Sequence, residues 1–131
     1  MASPPQILLV AAPERRLEFL RAAADLAGDF HSFDQCRDAR RFLATHPTID
    51  LAVTDLTLPD GNWWSICNEL IHAGSPTPVV VLLRHAARDT AEIVRHGACA
   101  VLQPPYTEDA VRQAVGRALA KRAPAWEAVL A

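Results

Sequence analysis

One carboxylate, Asp55, stands out in this sequence, because it comes directly after a short apolar stretch that predicts a buried strand. In open parallel sheets, ligands collect beyond the carboxyl ends of the strands. The residues that follow the first, fourth and fifth predicted strands are Ala11, Ala12, Pro13 and Glu14, then Leu83, Arg84 and His85, then Gln103, Pro104 and Pro105. Glu14 is the only other acid among them.

The sequence lacks the motifs that are typical of several enzyme classes. Residues 11–14 (AAPE) replace the glycine-rich turn with which nucleotide-binding folds approach a phosphate. No serine stands in a nucleophile-elbow pattern, and no two of the five histidines have the spacing that holds a metal on one helical face. The cysteines Cys36, Cys67 and Cys99 form no Cys-x-x-Cys pair and predict buried, reduced thiols. We therefore expect neither an enzyme nor a resident metal or cofactor.

Five strand-then-helix repeats account for the hydrophobic pattern. The predicted strands are Gln6–Val10, a stretch marked by Phe30 and Phe33, Ile49–Val53, Thr77–Leu83 and Cys99–Leu102; the predicted helices are Glu14–Ala27, Asp34–Thr45, Trp63–Ala73, Arg88–His96 and Glu108–Lys121. Near-continuous apolar strands that alternate with helices predict an α/β fold, with a parallel sheet between two helical layers.

The first helix is predicted to bury a face formed by Leu17, Leu20, Ala24 and Ala27, which leaves Arg15 and its charged neighbours elsewhere on the helix. Gly28 supplies the stop signal. For the second helix, Asp34 is the predicted N-terminal cap, and Pro47 follows where that helix should have ended.

Composition sets the remaining limits. The 131 residues are 50% hydrophobic and have a formal net charge of −2, so we expect one globular domain and no nucleic-acid partner. The longest apolar run, Val79–Leu83, is far shorter than the ~20 residues that span a membrane, and the N-terminus has no signal-peptide pattern. We expect a cytoplasmic protein with a domain over residues 1–123, and residues 124–131 as a C-terminal extension or the start of a linker.

Three segments together resemble the receiver domain of bacterial response regulators. They are residues 49–61 (IDLAVTDLTLPDG), residues 78–82 (PVVVL), and Gly97 and Ala98 leading to residues 101–106 (VLQPPY). The resemblance covers nearly the whole chain. It implies a flavodoxin-like sheet in the order 2-1-3-4-5, with Asp55 at the position that accepts phosphate from a histidine kinase in two-component, phosphorelay signal transduction.

The chain departs from that family at most of the positions that support phosphoryl transfer. The acidic pair that holds Mg²⁺ falls at Ala11 and Ala12, and the Thr or Ser after the fourth strand falls at Leu83. The lysine after the fifth strand falls at Pro104, and the switch aromatic falls at Val101. The family's cis proline corresponds to the Pro104–Pro105 bond. The resemblance therefore implies that the magnesium site has been lost.

These departures favour a pseudo-receiver that acts through protein–protein contacts without phosphorylation. Two alternatives stay open. One is a working phosphoacceptor, in which Glu14, Arg84 or His85 supplies substitute charge near Asp55. The other is a small-molecule binder with a pocket beside Asp55, formed by Ala11, Ala12, Leu83 and Pro104. The partner would be a histidine kinase, another signalling protein or a second copy of the chain.

Two surfaces are candidates for partner contacts. Trp63 and Trp64 cannot both point into the core from one helical turn, so one of them either covers its own loop or anchors a partner. Arg112 and Arg117 on the last helix belong either to a solvated charged face or to a docking surface. In the family, the face formed by the fourth helix, fifth strand and fifth helix commonly forms dimers.

Overall fold

The computed structural model describes residues 4–46, 48–72, 77–86 and 90–122. Within these residues the strands are β1 (Gln6–Val10), β2 (Asp29–Phe33), β3 (Leu51–Asp55), β4 (Thr57–Leu58), β5 (Gly61–Asn62), β6 (Val79–Leu82) and β7 (Ala100–Leu102). The helices are α1 (Pro13–Ala22), α2 (Cys36–Thr45), α3 (Trp63–His72), α4 (Ala91–Arg95) and α5 (Glu108–Arg122).

The five longer strands form one parallel sheet in the order β2-β1-β3-β6-β7. When these five strands are counted in chain order, this is the predicted order 2-1-3-4-5, so the flavodoxin-like fold is confirmed. The short strands β4 and β5 pair with each other as an antiparallel hairpin between β3 and α3.

Both faces of the sheet are covered, which explains the unbroken apolar strands. On one face, Ile7 and Leu9 pack with residues of α1 and α5. On the other face, Leu8 and Val10 pack with residues of α2 and α3, and α4 joins this layer through Ile93. Alternate residues of a strand point to opposite faces, so one strand serves both cores.

Helix α1 differs most from its prediction. It ends at Ala22, and Phe19 and Ala23 are fully buried, whereas Leu17 is 52% exposed and Ala27 is exposed. The predicted face is therefore wrong, because Phe19 and not Leu17 sets which side of the helix packs on the sheet. The helix stops early because the chain must return to pair Asp29 with Gln6 at the start of β1.

Other boundaries move by a few residues. Strand β3 extends to Asp55, and α4 starts at Ala91 rather than at residue 88. The predicted stop signal Pro47, the first residues of the predicted fourth helix and the proposed boundary at residues 123–124 lie outside the described residues. In the part of the chain that is described, no helix has the length and apolarity required to cross a membrane.

Candidate functional site

Asp55 is the last residue of β3, in the middle of the sheet. Its backbone lies opposite Leu82 of β6, and β1 is the neighbour of β3 on the other side. This is the edge at which the strand order reverses, the usual location of a binding site in this class of fold. The Asp55 side chain is only 3% exposed, although it is charged. A buried carboxylate requires partners, because removal from water is costly for an ion.

Arg15 is the main partner of Asp55. Its Nε–H donates to Oδ1 at 2.6 Å and its Nη2 donates to Oδ2 at 2.7 Å, so the guanidinium and the carboxylate meet as a two-point fork. The backbone N–H of Ala12 donates to Oδ2 at 2.9 Å. Both oxygens of Asp55 are therefore engaged by groups of its own chain, and the aspartate charge is neutralised by Arg15.

Helix geometry explains why Arg15 reaches this place. Helix α1 starts at Pro13, immediately after β1, so its first turn lies above the carboxyl ends of the strands. Arg15 is four residues before the fully buried Phe19, and residues four apart share one face of a helix. Arg15 therefore points over the sheet edge. The hydrogen bond to Asp55 raises the pKa of Arg15 above the usual value for arginine, although burial acts in the opposite direction.

Arg15 was missed in the sequence analysis, which placed it away from the buried face. The available signal was its i, i+4 spacing to Phe19, but Leu17 and Leu20 suggested a different face. When a helix has apolar residues on several of its sides, its sequence alone does not show which side packs on the sheet.

The candidate substitute charges occupy other positions. Arg84 is exposed and lines a cleft of about 300 Å³ beside Asp55, together with Arg15, Leu56, Thr57 and Leu82. His85 and Glu14 are also exposed, and Glu14 lines a separate groove near Tyr106. Neither Arg84, His85 nor Glu14 has a hydrogen bond to Asp55 in this structure.

The predicted pocket has a different lining. Ala11 and Leu83 are buried and Pro104 is half-buried, and the cleft beside Asp55 is formed instead by Arg15 and the residues that follow β3 and β6. The Pro104–Pro105 peptide is cis, as the resemblance implied.

The residues present do not fit Mg²⁺. This ion prefers carboxylate oxygens and water in an octahedral arrangement. Ala11 and Ala12 offer no side-chain oxygen, and both oxygens of Asp55 already accept hydrogen bonds from Arg15 and Ala12. Across the described ranges, no cluster of three or more His, Cys, Asp or Glu residues is arranged to hold a metal. A guanidinium occupies the coordination space that a cation would need.

Tyr106 connects the end of β6 to α1. Its phenolic O–H donates to the backbone carbonyl of Leu83 at 2.6 Å, and its backbone N–H donates to the carboxylate of Glu18 at 3.3 Å. Burial raises the pKa of Tyr106 to about 12, and the negative charges of Asp55 and Glu18 act in the same direction. The ring is thereby fixed in the core between α1 and α5.

The hairpin after Asp55 caps a helix. The carboxylate of Asp60 accepts hydrogen bonds from the backbone N–H groups of Cys36 at 2.7 Å and Arg37 at 2.9 Å, at the start of α2. The prediction that Asp34 caps α2 is therefore wrong. The residue immediately before the helix is Gln35, and the capping carboxylate belongs to Asp60, 24 residues after Cys36. Burial disfavours the Asp60 charge, but these N–H groups outweigh it and lower the pKa of Asp60 below 3.8.

The two tryptophans divide as expected, with one inside and one outside. Trp63 is buried in the core formed with α2, and Trp64 is 46% exposed. Arg112 and Arg117 are exposed on α5, which packs on the opposite face of the sheet from α3. The two candidate surfaces therefore belong to different helical layers and do not form one patch.

Comparisons with known proteins place this geometry in context. No family model matches the chain. Over 97 residues, 73% of the chain, it is 32% identical to the response regulator protein PilR of Pseudomonas aeruginosa, of which it covers only 22%.

Solved structures resemble the chain in fold. A signal receiver domain from Vibrio parahaemolyticus superposes with a TM-score of 0.77 at 21% identity, covering 92% of this chain and 93% of that one. A response regulator receiver protein from Sinorhizobium medicae gives 0.74 at 20% identity, covering 92% and 98%. A receiver domain from Clostridium thermocellum gives 0.72 at 20% identity, covering 89% and 95%.

Proposed function

Because the chain is a response-regulator receiver domain, we propose that it signals without phosphorylation, as a docking module whose aspartate is held by an internal arginine. The observation that carries this proposal is the two-point ion pair between Arg15 and Asp55. In a phosphorylated receiver, the aspartate offers an oxygen to phosphorus while cations offset the charge of the donor. Here Arg15, the cation that contacts Asp55 in the described part of the chain, donates hydrogen bonds to the oxygens that would have to react.

Phosphorylation would first have to release Asp55. Breaking a buried ion pair by removing one partner costs about 3–5 kcal/mol, and each 1.36 kcal/mol in a barrier is about tenfold in rate. Opening the pair alone would therefore slow phosphoryl transfer by a factor of about 10² to 10⁴. This slowing adds to the slowing expected from the loss of Mg²⁺ and of the lysine. Ala11 and Ala12 stand at the positions of the acids that hold Mg²⁺, and Pro104 stands at the position of the lysine.

The switch that would follow phosphorylation also lacks its parts. Leu83 stands where the family's hydroxyl would move toward the phosphate, and it is buried and apolar. Val101 stands at the position of the switch aromatic and has no ring, and the Leu83 carbonyl already accepts a hydrogen bond from Tyr106. A ligand shifts a conformational equilibrium only if it binds the two conformations differently. A phosphate at Asp55 would find no such differential contact at Leu83.

The module therefore acts through its surfaces. A receiver fold has no output of its own, so its effect must pass to a protein partner, either another signalling protein or a second copy of the chain. We propose no enzymatic activity, no cofactor and no nucleic-acid contact for this domain, and a cytoplasmic location.

Calorimetric titration with beryllofluoride in the presence of Mg²⁺ tests the proposal. Beryllofluoride binds a receiver aspartate in place of the phosphoryl group, and it requires both a free carboxylate oxygen and the metal. We expect no binding heat from the wild-type chain above that of an Asp55→Ala control. Stoichiometric, Mg²⁺-dependent binding that the control abolishes would establish a working phosphoacceptor and overturn the proposal.

A further inference from the structure

Five large apolar side chains are exposed among the described residues, and three of them lie in one place. Leu56 and Trp64 line one hollow between α3 and α4, and Trp64 and Ile71, which is 67% exposed, line a second; the two hollows share Trp64 and His96 and are together called the α3–α4 groove. The upper part is a hollow of about 520 Å³ floored by Trp63, Leu83 and Ile93, and the lower part, of about 200 Å³, shares Trp64 with it. Exposed apolar patches of a few hundred Å² mark interaction sites on monomeric proteins.

The groove has both a protruding and a receiving part. Trp64 and Ile71 are seven residues apart on α3, two turns of helix, so they stand in one row about 10 Å long. The hollow between Leu56 and Ile93 is adjacent to that row. This surface therefore has both protruding side chains and a hollow. A two-fold interface needs both on the same surface, because residue i of each copy contacts residue j of the other.

Charge also favours a second copy over a charged partner. Near a two-fold axis a residue approaches its own counterpart, so a charge there would repel itself. The flank of α3 that borders the groove carries Trp64, Cys67, Asn68 and Ile71, none of which is charged. The acidic residue of this helix, Glu69, is paired with Arg40 of α2 at 2.9 Å, on the other flank. Among the described residues that line the upper hollow, Glu92 on the α4 rim is the one acid.

We propose that this α3–α4 groove is a self-association surface that takes a second copy of the chain, with Trp64 of each copy seated in the hollow of the other. The inference rests on the proposed function, because it names the partner of the docking module, and it places the contact away from Asp55. The three exposed side chains offer on the order of 300 Å² of apolar area, below the ~800 Å² per partner of a standard interface. The dimer is therefore weak and should form only at high protein concentration.

Sedimentation velocity of the 131-residue chain over a range of concentrations tests this. The wild type should show a concentration-dependent monomer–dimer equilibrium. Ile71→Glu, which sets two carboxylates against each other, and Trp64→Ala, which removes the knob, should each weaken dimerisation at least about tenfold. Leu17→Glu is the matched control, because Leu17 is an equally exposed apolar residue on α1 in the other helical layer. It should leave the equilibrium unchanged. Circular dichroism checks that every variant is folded.

The outcomes separate the inference from the proposed function. A wild-type chain that stays monomeric at several hundred µM and binds no beryllofluoride overturns the inference alone, and leaves the groove to a different protein. Equal effects of Ile71→Glu and Leu17→Glu also overturn it. A dimer that forms only with beryllofluoride and Mg²⁺ would overturn the proposed function itself.

Discussion

Replacing Arg15 with alanine removes the side chain that, among the described residues, neutralises Asp55. The carboxylate is 3% exposed in the wild type, and without Arg15 the Ala12 N–H is the hydrogen-bond donor that would remain to it in the described part of the chain. A unit-charge pair at about 4 Å in an effective dielectric near 20 is worth about 4 kcal/mol, and breaking a buried pair costs about 3–5 kcal/mol. We therefore expect Arg15→Ala to lower the free energy of unfolding by about 3–5 kcal/mol, a large share of a typical domain's stability.

Thermal and urea unfolding, followed by tryptophan fluorescence, measure this loss. At about 2.1 cal/mol/K per residue, the unfolding entropy of a chain of this length is about 0.28 kcal/mol/K, so each kcal/mol lowers Tm by about 3.6 °C. The expected fall is therefore about 11–18 °C. The matched control is Arg21→Ala, an exposed arginine on the same helix, which should change stability by no more than about 0.5 kcal/mol.

A double-mutant cycle assigns the loss to the ion pair. Once Asp55 is alanine, replacing Arg15 should cost little, so the coupling energy should account for most of the single-mutant effect. If Arg15→Ala is no more destabilising than Arg21→Ala, or if the cycle gives no coupling, Asp55 is not held by Arg15 in solution and the reasoning fails.

Three further predictions follow from the surroundings of the site. Tyr106, the only tyrosine of the chain, should form phenolate with a midpoint near pH 12, which phenolate absorbance during alkaline titration measures. Because its folded pKa is raised above the usual 10, its contribution to stability is present below pH 10 and is lost between about pH 10 and 12. Asp60→Ala should lower the free energy of unfolding by about 1 kcal/mol at neutral pH, because it removes the cap of α2. The folded pKa of Asp60 is lowered, so this difference from wild type should disappear as pH falls below 3.8, and urea unfolding at several pH values measures the change. Gly61→Ala should destabilise by about 1–3 kcal/mol, because the new Cβ would lie 2.8 Å from Ser65 Oγ and 3.0 Å from Cys36 Sγ; its urea midpoint should fall below that of Gly116→Ala, where a Cβ meets nothing within 4 Å.

Each of these has a result that would contradict it. A phenolate midpoint near 10 would mean that Tyr106 is not enclosed by the core. A deficit of Asp60→Ala that is the same at neutral pH and throughout the acid range would mean that the carboxylate does not cap α2. Equal stability of Gly61→Ala and wild type would mean that the hairpin is looser than the structure has it.

The sheet could be predicted from the sequence because four of its five strands are rich in apolar residues, whereas the more polar β2 was marked only by Phe30 and Phe33. Gln6–Val10 matches β1 to the residue, and the strand-then-helix rhythm left few topologies. Asp55 could be singled out for the same reason, since it terminates the third run. The resemblance then supplied the strand order and the cis bond before Pro105.

The partners of Asp55 could not be predicted, because they depend on how helices are rotated about their axes. The side of α1 that faces the sheet is decided by Phe19 filling the core, and only then is Arg15 directed to Asp55. The cap of α2 was missed for a related reason: Asp60 is remote in sequence and meets α2 through the hairpin, whereas Asp34 is merely adjacent. Local patterns identify elements more reliably than they identify contacts between elements.

Intact-mass spectrometry after incubation with acetyl phosphate and Mg²⁺ tests the central claim most directly, with Asp55→Ala treated in parallel. If Arg15 holds Asp55 as the structure indicates, the wild-type chain gains no phosphate and its mass spectrum matches that of untreated protein. A phosphate-sized increment in the wild type that is absent from Asp55→Ala would contradict the account, because it would mean that Arg15 yields the carboxylate to a phosphoryl donor.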